Sequence, residues 1–490
     1  MFRFWAFVSP AALWLFLMRD FLFGRIPVNM DTNTIYGVTK FYFNNLLNGV
    51  IPLWEPFISL GRPFYAISIC NLFNPVTQLI GLLKVLGVDY AHAFVIYMVV
   101  YFFIGCWGFY LLAKEMLKDR QMAYLAYVAF MFSSIGASMF TQLTFLEILV
   151  PAIWFFVFAL RFARAQTPGH FLGTIFALMI LISSYLPFYF MTFLFCLIPI
   201  GVALYFKEAM DLAQAKVRFF LKYWRLFLWG AIGILLAAGP LLAYKVLDAS
   251  GDVVAPGRHC QYSSAQECYD RTMGRQGGMS YDEITRSGSL GERVDMQYLF
   301  GNLDKISYGS DSLFFVPFWI YVLLGISLFL RPTRLTVLLS GTALLVGLIA
   351  LGNASCLFRF LYNHVFFFNY FRNLFFLGIF LIPLVILLAL HQLQMLLTKM
   401  SSPNALKTFG TDKKLVIVLH VAAFFFLKHF EGVPIISYVT LGLSAAVFIL
   451  YYSGWARFSA QVWAGIFVIL LLLQPAWMLN AYALNRNNIR

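Results

Sequence analysis

Three carboxylates in this chain stand in surroundings suited to chemistry on a polar group. Asp31 lies in Asn29-Met-Asp-Thr-Asn-Thr-Ile-Tyr36, just after a first apolar stretch. Glu55 follows in Asn48-Gly-Val-Ile-Pro-Leu-Trp-Glu-Pro-Phe57, ahead of Leu60-Gly-Arg-Pro-Phe64 and Asn71-Leu-Phe-Asn-Pro75. Glu147 closes Ser138-Met-Phe-Thr-Gln142-Leu-Thr-Phe-Leu-Glu147, one helical turn into an apolar segment. A carboxylate beside a hydroxyl or amine takes its proton as that group attacks. Amides and aromatics such as Gln142 and Tyr36, held with carboxylates at a membrane surface, suit handling of a polar group carried on a lipid. Each acid also has a plainer reading. Asp31 suits the N-cap of a helix, since Asp-Thr-Asn-Thr precedes an apolar-periodic run. Glu147 suits partnership with a buried Arg or Tyr, because an unpaired charge inside a membrane is costly. Glu55 suits an exposed surface.

The elements that must position these groups follow from composition. The 490 residues are 61% hydrophobic, 19% aromatic and only 11% charged, with a mean hydropathy of +0.80. A soluble domain of that composition could not cover its apolar surface. Repeated apolar runs of roughly twenty residues point to an all-α polytopic membrane protein, and no short alternating segments of a β-barrel are present. The net charge of +14 is accounted for by basic cytoplasmic loops, so no nucleic-acid partner is expected. Six cysteines in this length are no disulfide framework. Cys260 and Cys268 share one hydrophilic loop, where a bridge forms only if that loop is outside.

About thirteen spans are expected, at 4–23, 90–113, 121–139, 143–162, 170–186, 187–206, 224–246, 313–330, 335–352, 373–390, 415–430, 433–452 and 459–480. Arg3 before an apolar stretch imitates a signal peptide, but no small-residue cleavage site precedes Asp31, so this segment reads as a retained span. Lys114, Lys118, Arg120, Arg161, Arg164, Lys207, Lys216, Arg218, Lys222, Arg331, Arg334 and Lys399 then fall on one side, the cytoplasm, as does the N-terminus. Loops 24–89, 247–312 and 353–372 are extracytoplasmic. Pro75 to Gly87 is too short to span and reads as an interfacial or re-entrant helix carrying Lys84. In Thr32 to Leu47 the apolar Ile35, Val38, Phe41, Phe43, Leu46 and Leu47 recur at helical spacing, giving a first amphipathic helix of the external loop, with a second expected before 75.

Asp31, Tyr36, the Gly49…Pro52-Leu-Trp…Pro56 segment, Leu60-Gly-Arg-Pro63 and Phe73-Asn-Pro75 together resemble the first external loop of bacterial YfhO-like membrane proteins, of the GT-C class of integral-membrane glycosyltransferases. The likeness covers roughly residues 1–200, with a second patch at 352–390 that reads Gly352-Asn…Phe368-Asn-Tyr-Phe-Arg372-Asn before an apolar helix. The resemblance implies a GT-C-like bundle with a conserved-type module at 1–246, an extracytoplasmic loop at 247–312 and a variable module at 313–490. It also implies transfer of a sugar from a polyprenyl-phosphate-linked donor to an envelope glycan, lipid or protein acceptor outside the bacterial inner membrane. Asp31 matches the family's first-loop acid, a general base or metal neighbour, and Glu147 occupies a second acidic position found in several branches. Inversion would need only a base and a stabilised phosphate leaving group.

The implied donor phosphate needs cations. Arg372 matches the family segment, and an Arg fork suits phosphate oxygens; Arg62 and Lys84 are further choices, and Arg359 and His364 lie nearer Arg372 in the chain. Each cation also suits snorkelling to headgroups. Tyr185 and Tyr189 in Ser183-Ser-Tyr-Leu-Pro-Phe-Tyr189 either stack on sugar or belong to the interfacial aromatic belt. Glu55 departs from the amide or other polar residue usual in the Pro-Leu-Trp-x-Pro pattern, which leaves its role open. A metal requirement is not specified; Mg or Mn would be the divalent cofactor. Asp295, Asp304 and Asp311 lack metal-ligand spacing, and no Walker, His-Glu-x-x-His or Gly-x-Ser-x-Gly motif is present. The competing classes are a lipid or glycan transporter or flippase, marked by inverted repeats that are not found here, and a non-catalytic assembly protein on the same fold.

Overall fold

The computed structural model describes residues 2–28, 30–52, 54–55, 62–63, 74–184, 187–250, 316, 318–327, 332–352, 355–365, 368, 374–400, 420–421, 435–453 and a few positions in 466–473. Most of these residues are helical, with turns between the helices and one pair of two-residue strands. In order they form α1 (Phe2–Leu17), α2 (Arg19–Leu22), α3 (Met30–Leu47), β1 (Trp54–Glu55), β2 (Arg62–Pro63), α4 (Leu79–Val85), α5 (Tyr90–Leu117), α6 (Arg120–Met131) and α7 (Ile135–Ser138). Next come α8 (Leu143–Ala165), α9 (Pro168–Ile182), α10 (Pro187–Leu204), α11 (Phe206–Lys222) and α12 (Trp224–Ser250). Beyond residue 316 follow α13 (Phe318–Ser327), α14 (Arg334–Ala350), α15 (Cys356–His364), a 3-10 segment (Leu374–Phe380), α16 (Leu381–Met400) and α17 (Ile435–Ser453). Among the described residues Tyr90–Leu117, Leu143–Ala165 and Phe376–Thr398 are long and apolar enough to cross a membrane. The expected spans 415–430 and 459–480, and the loop 247–312 with Cys260 and Cys268, lie mostly or wholly outside the described residues.

The core is the packing of α5 on α8, with α6 and α9 beside them. Contacts advance together along α5 and α8, from Tyr97 with Glu147 to Gly105 with Val150 and Glu115 with Arg161. The two helices therefore run parallel, and their first turns share one end. They approach closely because α5 offers glycines: a Cβ at Gly105 would sit 2.7 Å from Val150 Cγ2, and one at Gly108 2.9 Å from Trp154 Nε1. Small residues are how apolar helices gain close contact where lipid supplies no hydrophobic drive.

The opposite end is basic. Glu115 pairs there with Arg161 at 2.9 Å and with Arg164, while Arg334 pairs with Glu208 at 2.8 Å. Lys216 donates to the Phe162 carbonyl at 2.8 Å, stopping the last turn of α8 with a cation at its negative dipole end. Burial pushes the Lys216 ammonium down to about 8.

Two expected elements differ. The run 121–139 is not continuous: α6 stops at Met131, Ser133 Oγ donates to the Phe130 carbonyl at 2.7 Å and accepts from Ile135 N at 3.4 Å. A serine hydroxyl that bonds nearby backbone competes with helix hydrogen bonds, so the chain turns and restarts as α7. The basic connection after α10 is itself a helix, α11, set at 98° to the helix before it.

Candidate functional site

The helix carrying Asp31 is seated on the start of α8. Thr32, fully buried, donates from Oγ1 to the Met139 carbonyl at 3.0 Å and accepts from Leu143 N at 2.9 Å. Its own amide donates to the Thr141 carbonyl at 3.1 Å. Three hydrogen bonds thus lock the first turn of α3 to the turn that opens α8, although 107 residues separate Thr32 from Met139. Asp31 is half-buried in that first turn. It is inside the helix and not at its N-cap, because α3 begins at Met30; a carboxylate there still favours the positive helix end. The apolar periodicity of α3 explains the rest of the seat, with Ile35, Val38 and Phe43 buried. Gly81 on α4 lets that helix close on Phe43, since a Cβ would lie 2.9 Å from its ring.

Tyr36, one turn along α3, meets the start of α5, its ring 5.1 Å from Tyr90 and 5.3 Å from Phe94. Tyr90 donates to Thr39 Oγ1 at 2.5 Å. Burial, with the nearby Asp89 charge, raises the Tyr36 phenol above its usual range. Asp89 caps α5 and accepts from Ala91 N at 2.8 Å. A hydrogen bond from the His92 ring, helped by the His92 and Ala91 amides, holds the Asp89 carboxyl below the usual carboxylate range.

Glu147 lies just over one turn into α8 and has no exposed surface. Oε1 accepts from the Tyr97 hydroxyl at 3.5 Å, which receives in turn from Thr77 Oγ1 at 3.5 Å. Oε2 has no hydrogen-bond partner, and neither do the buried Gln142 Oε1 and Thr144 Oγ1 of the same helix end. Tyr101 lies within electrostatic range of Glu147 and of the Asn74 amide, one turn from Tyr97 on α5. The plainer reading of Glu147 as a tyrosine partner is thus met at Oε1 and not at Oε2. Buried polar groups are ordinarily hydrogen-bonded, and Glu147 Oε2 departs from that.

The remaining called residues divide. Gln142 is buried at the mouth of α8. Tyr189 is buried in the first turn of α10, against Phe376 at 5.9 Å, which meets Phe145 of α8 at 4.9 Å. It therefore sits inside the bundle and not on an outward belt. Lys84 is half-buried in the last turn of α4. Glu55 and Arg62 are backbone register partners in the antiparallel strand pair. His364 is exposed, donates from Nδ1 to the Phe360 carbonyl at 2.8 Å and stacks on Phe360, away from the Glu147 layer in the contacts it makes. Arg372 and Tyr185 lie outside the described residues. Thr32, Thr77, Tyr97 and Tyr101 were missed. Tyr97 and Tyr101, spaced i and i+4 in an apolar run, were the available signal.

Among the described residues no three His, Cys, Asp or Glu side chains gather as ligands of a metal ion. The carboxylates described do not by themselves compose a divalent-cation site. Compared with models of known protein families the chain matches none, and it matches none of the curated proteins searched.

Proposed function

We propose that this chain is a membrane glycosyltransferase of the GT-C class. It moves a sugar from a polyprenyl-phosphate-linked donor to an acceptor on the extracytoplasmic face of the bacterial inner membrane, within a bundle of about thirteen spans. The observation that carries the reading is the seat of α3 on α8. Thr32 holds Asp31 at the same end of the bundle as Gln142 and Glu147. That end is opposite the basic one formed by Glu115 with Arg161 and Arg164 and by Lys216. Basic ends face the cytoplasm, so the carboxylate end faces out, where a lipid-linked sugar and its acceptor meet.

In this reading Asp31 is the general base, taking the proton of the acceptor hydroxyl or amine as it attacks the anomeric carbon. The bond from that carbon to the phosphate oxygen breaks with inversion, and the polyprenyl phosphate leaves with its electron pair. Gln142 and Glu147 offer hydrogen-bond acceptors to sugar or acceptor hydroxyls. Arg372, Arg62 and Lys84 are the cations assigned to the phosphate. No step here runs through a metal.

The test is transfer of radiolabelled sugar from membrane polyprenyl-phosphate donors, wild type against Asp31→Asn at equal abundance. Depletion of donor by wild type and a loss of about 10²-fold or more in the variant supports the assignment. Equal depletion by both removes Asp31 from the chemistry, and depletion by neither favours transport or an assembly role.

A further inference from the structure

One helix outside this site carries three unlike faces. The turn at Tyr205 sets α11 at 98° to the helix before it, so that if α10 stands upright α11 lies in the bilayer plane. One face is committed to the bundle. Glu208 bonds Arg334 at 2.8 Å, Lys216 bonds the Phe162 carbonyl, and Phe219 is buried with its ring 5.0 Å from Phe162.

A second face is apolar and uncovered. Phe206, Met210, Val217 and Leu221 fall at intervals of four, seven and four, the spacing of one stripe on a helix. They are 62%, 49%, 58% and 69% exposed. The third face holds the exposed Lys207, Asp211 and Lys222. At the start of α12 Trp224 and Trp229 are exposed too, and Arg225 lies 5.6 Å over the Trp224 ring. Tryptophans mark the headgroup level of a bilayer. The side chains Lys207, Lys222 and Arg225 outweigh Asp211, since Glu208 is spent on Arg334.

An apolar stripe flanked by cations, on a helix turned out of the spanning direction, fits the boundary between acyl chains and anionic headgroups. We propose that α11 is an interfacial anchor: Phe206, Met210, Val217 and Leu221 insert at the acyl boundary while Lys207, Lys222 and Arg225 bind anionic phospholipid headgroups. The inference rests on membrane residence alone and stands whether or not the chain transfers sugar.

The test uses the full chain in vesicles of phosphatidylcholine with or without phosphatidylglycerol. A bimane label at Leu221→Cys should be quenched by lipids brominated on the acyl chain, and one at Asp211→Cys should not. Spin-labelled phosphatidylglycerol should be enriched at the protein over spin-labelled phosphatidylcholine. Lys207→Glu with Lys222→Glu should cut that preference severalfold, roughly fivefold per cation at full contact. Absence of quenching at position 221, whether from water or from a second copy covering the stripe, overturns the proposal. Quenching with no phosphatidylglycerol preference, or a preference the double substitution leaves unchanged, overturns the headgroup assignment.

Discussion

Replacing Thr32 with valine keeps the side-chain shape and removes the hydroxyl that joins α3 to α8. Two buried backbone groups lose their partner at once, the Met139 carbonyl that accepts at 3.0 Å and the Leu143 amide that donates at 2.9 Å. A buried polar group left unpaired costs about 1–3 kcal/mol, so the pair costs about 3 kcal/mol with partial relaxation. The bond from Thr32 N to the Thr141 carbonyl survives, which confines the damage to local opening of the seat. At about 1.4 kcal/mol per decade, hydrogen exchange at 30–36 and 141–146 should speed up roughly 100-fold. Exchange along the middle of α5 should stay as it was. Thr32→Ser keeps the hydroxyl and loses one buried methyl, at a cost of about 1 kcal/mol. Sugar transfer should fall with the valine variant and largely persist with serine. Protection within about threefold of wild type for Thr32→Val, an effect under 1 kcal/mol, would refute the reasoning, as would a serine variant as damaged as valine.

Gly105→Ala should lower the thermal midpoint in detergent, because the new Cβ meets a β-branched Val150 methyl at 2.7 Å and overpacking costs about 1–3 kcal/mol. A raised midpoint, as helix propensity alone gives, would mean that α5 and α8 lie further apart. Glu115→Gln should destabilise by about 1 kcal/mol, with the loss shrinking at high salt, since Glu115 is the shared partner of Arg161 and Arg164. The Asp89 carboxyl is held below its usual value by its His92 contact, so its cap on α5 is present above the unfolded-state value of 3.8 and is lost as pH falls through the lower folded one. Protection of the first α5 amides, corrected for intrinsic exchange, should therefore fall only in strong acid, and Asp89→Asn should abolish that acid step.

The helical character was legible because it rests on local pattern. Of the six apolar residues spaced along α3, Ile35, Val38 and Phe43 are buried while Leu46 and Leu47 at its end are exposed, and α4 stands as a short helix where the chain was too short to span. Other features depended on contacts that spacing does not reveal. Asp-Thr-Asn-Thr reads as capping chemistry, yet Thr32 bonds across to the turn that opens α8. Ser133 looks innocuous in an apolar run, and its hydroxyl decides where α6 ends. The basic residues of α11 read as a loop because their charge masks the apolar stripe threaded between them. Tyr97 and Tyr101 pass for apolar filling until Glu147 is placed beside Tyr97.

The account rests on Asp31 and Glu147 belonging to one site, and a double-substitution cycle measures that directly. Donor turnover would be compared for wild type, Asp31→Asn, Glu147→Gln and the two together, at equal membrane abundance. Residues that act as a unit are grossly non-additive, so the double variant should lose no more than about threefold beyond the worse single one, a residual below 1 kcal/mol. Losses that multiply would show two independent groups and contradict the site.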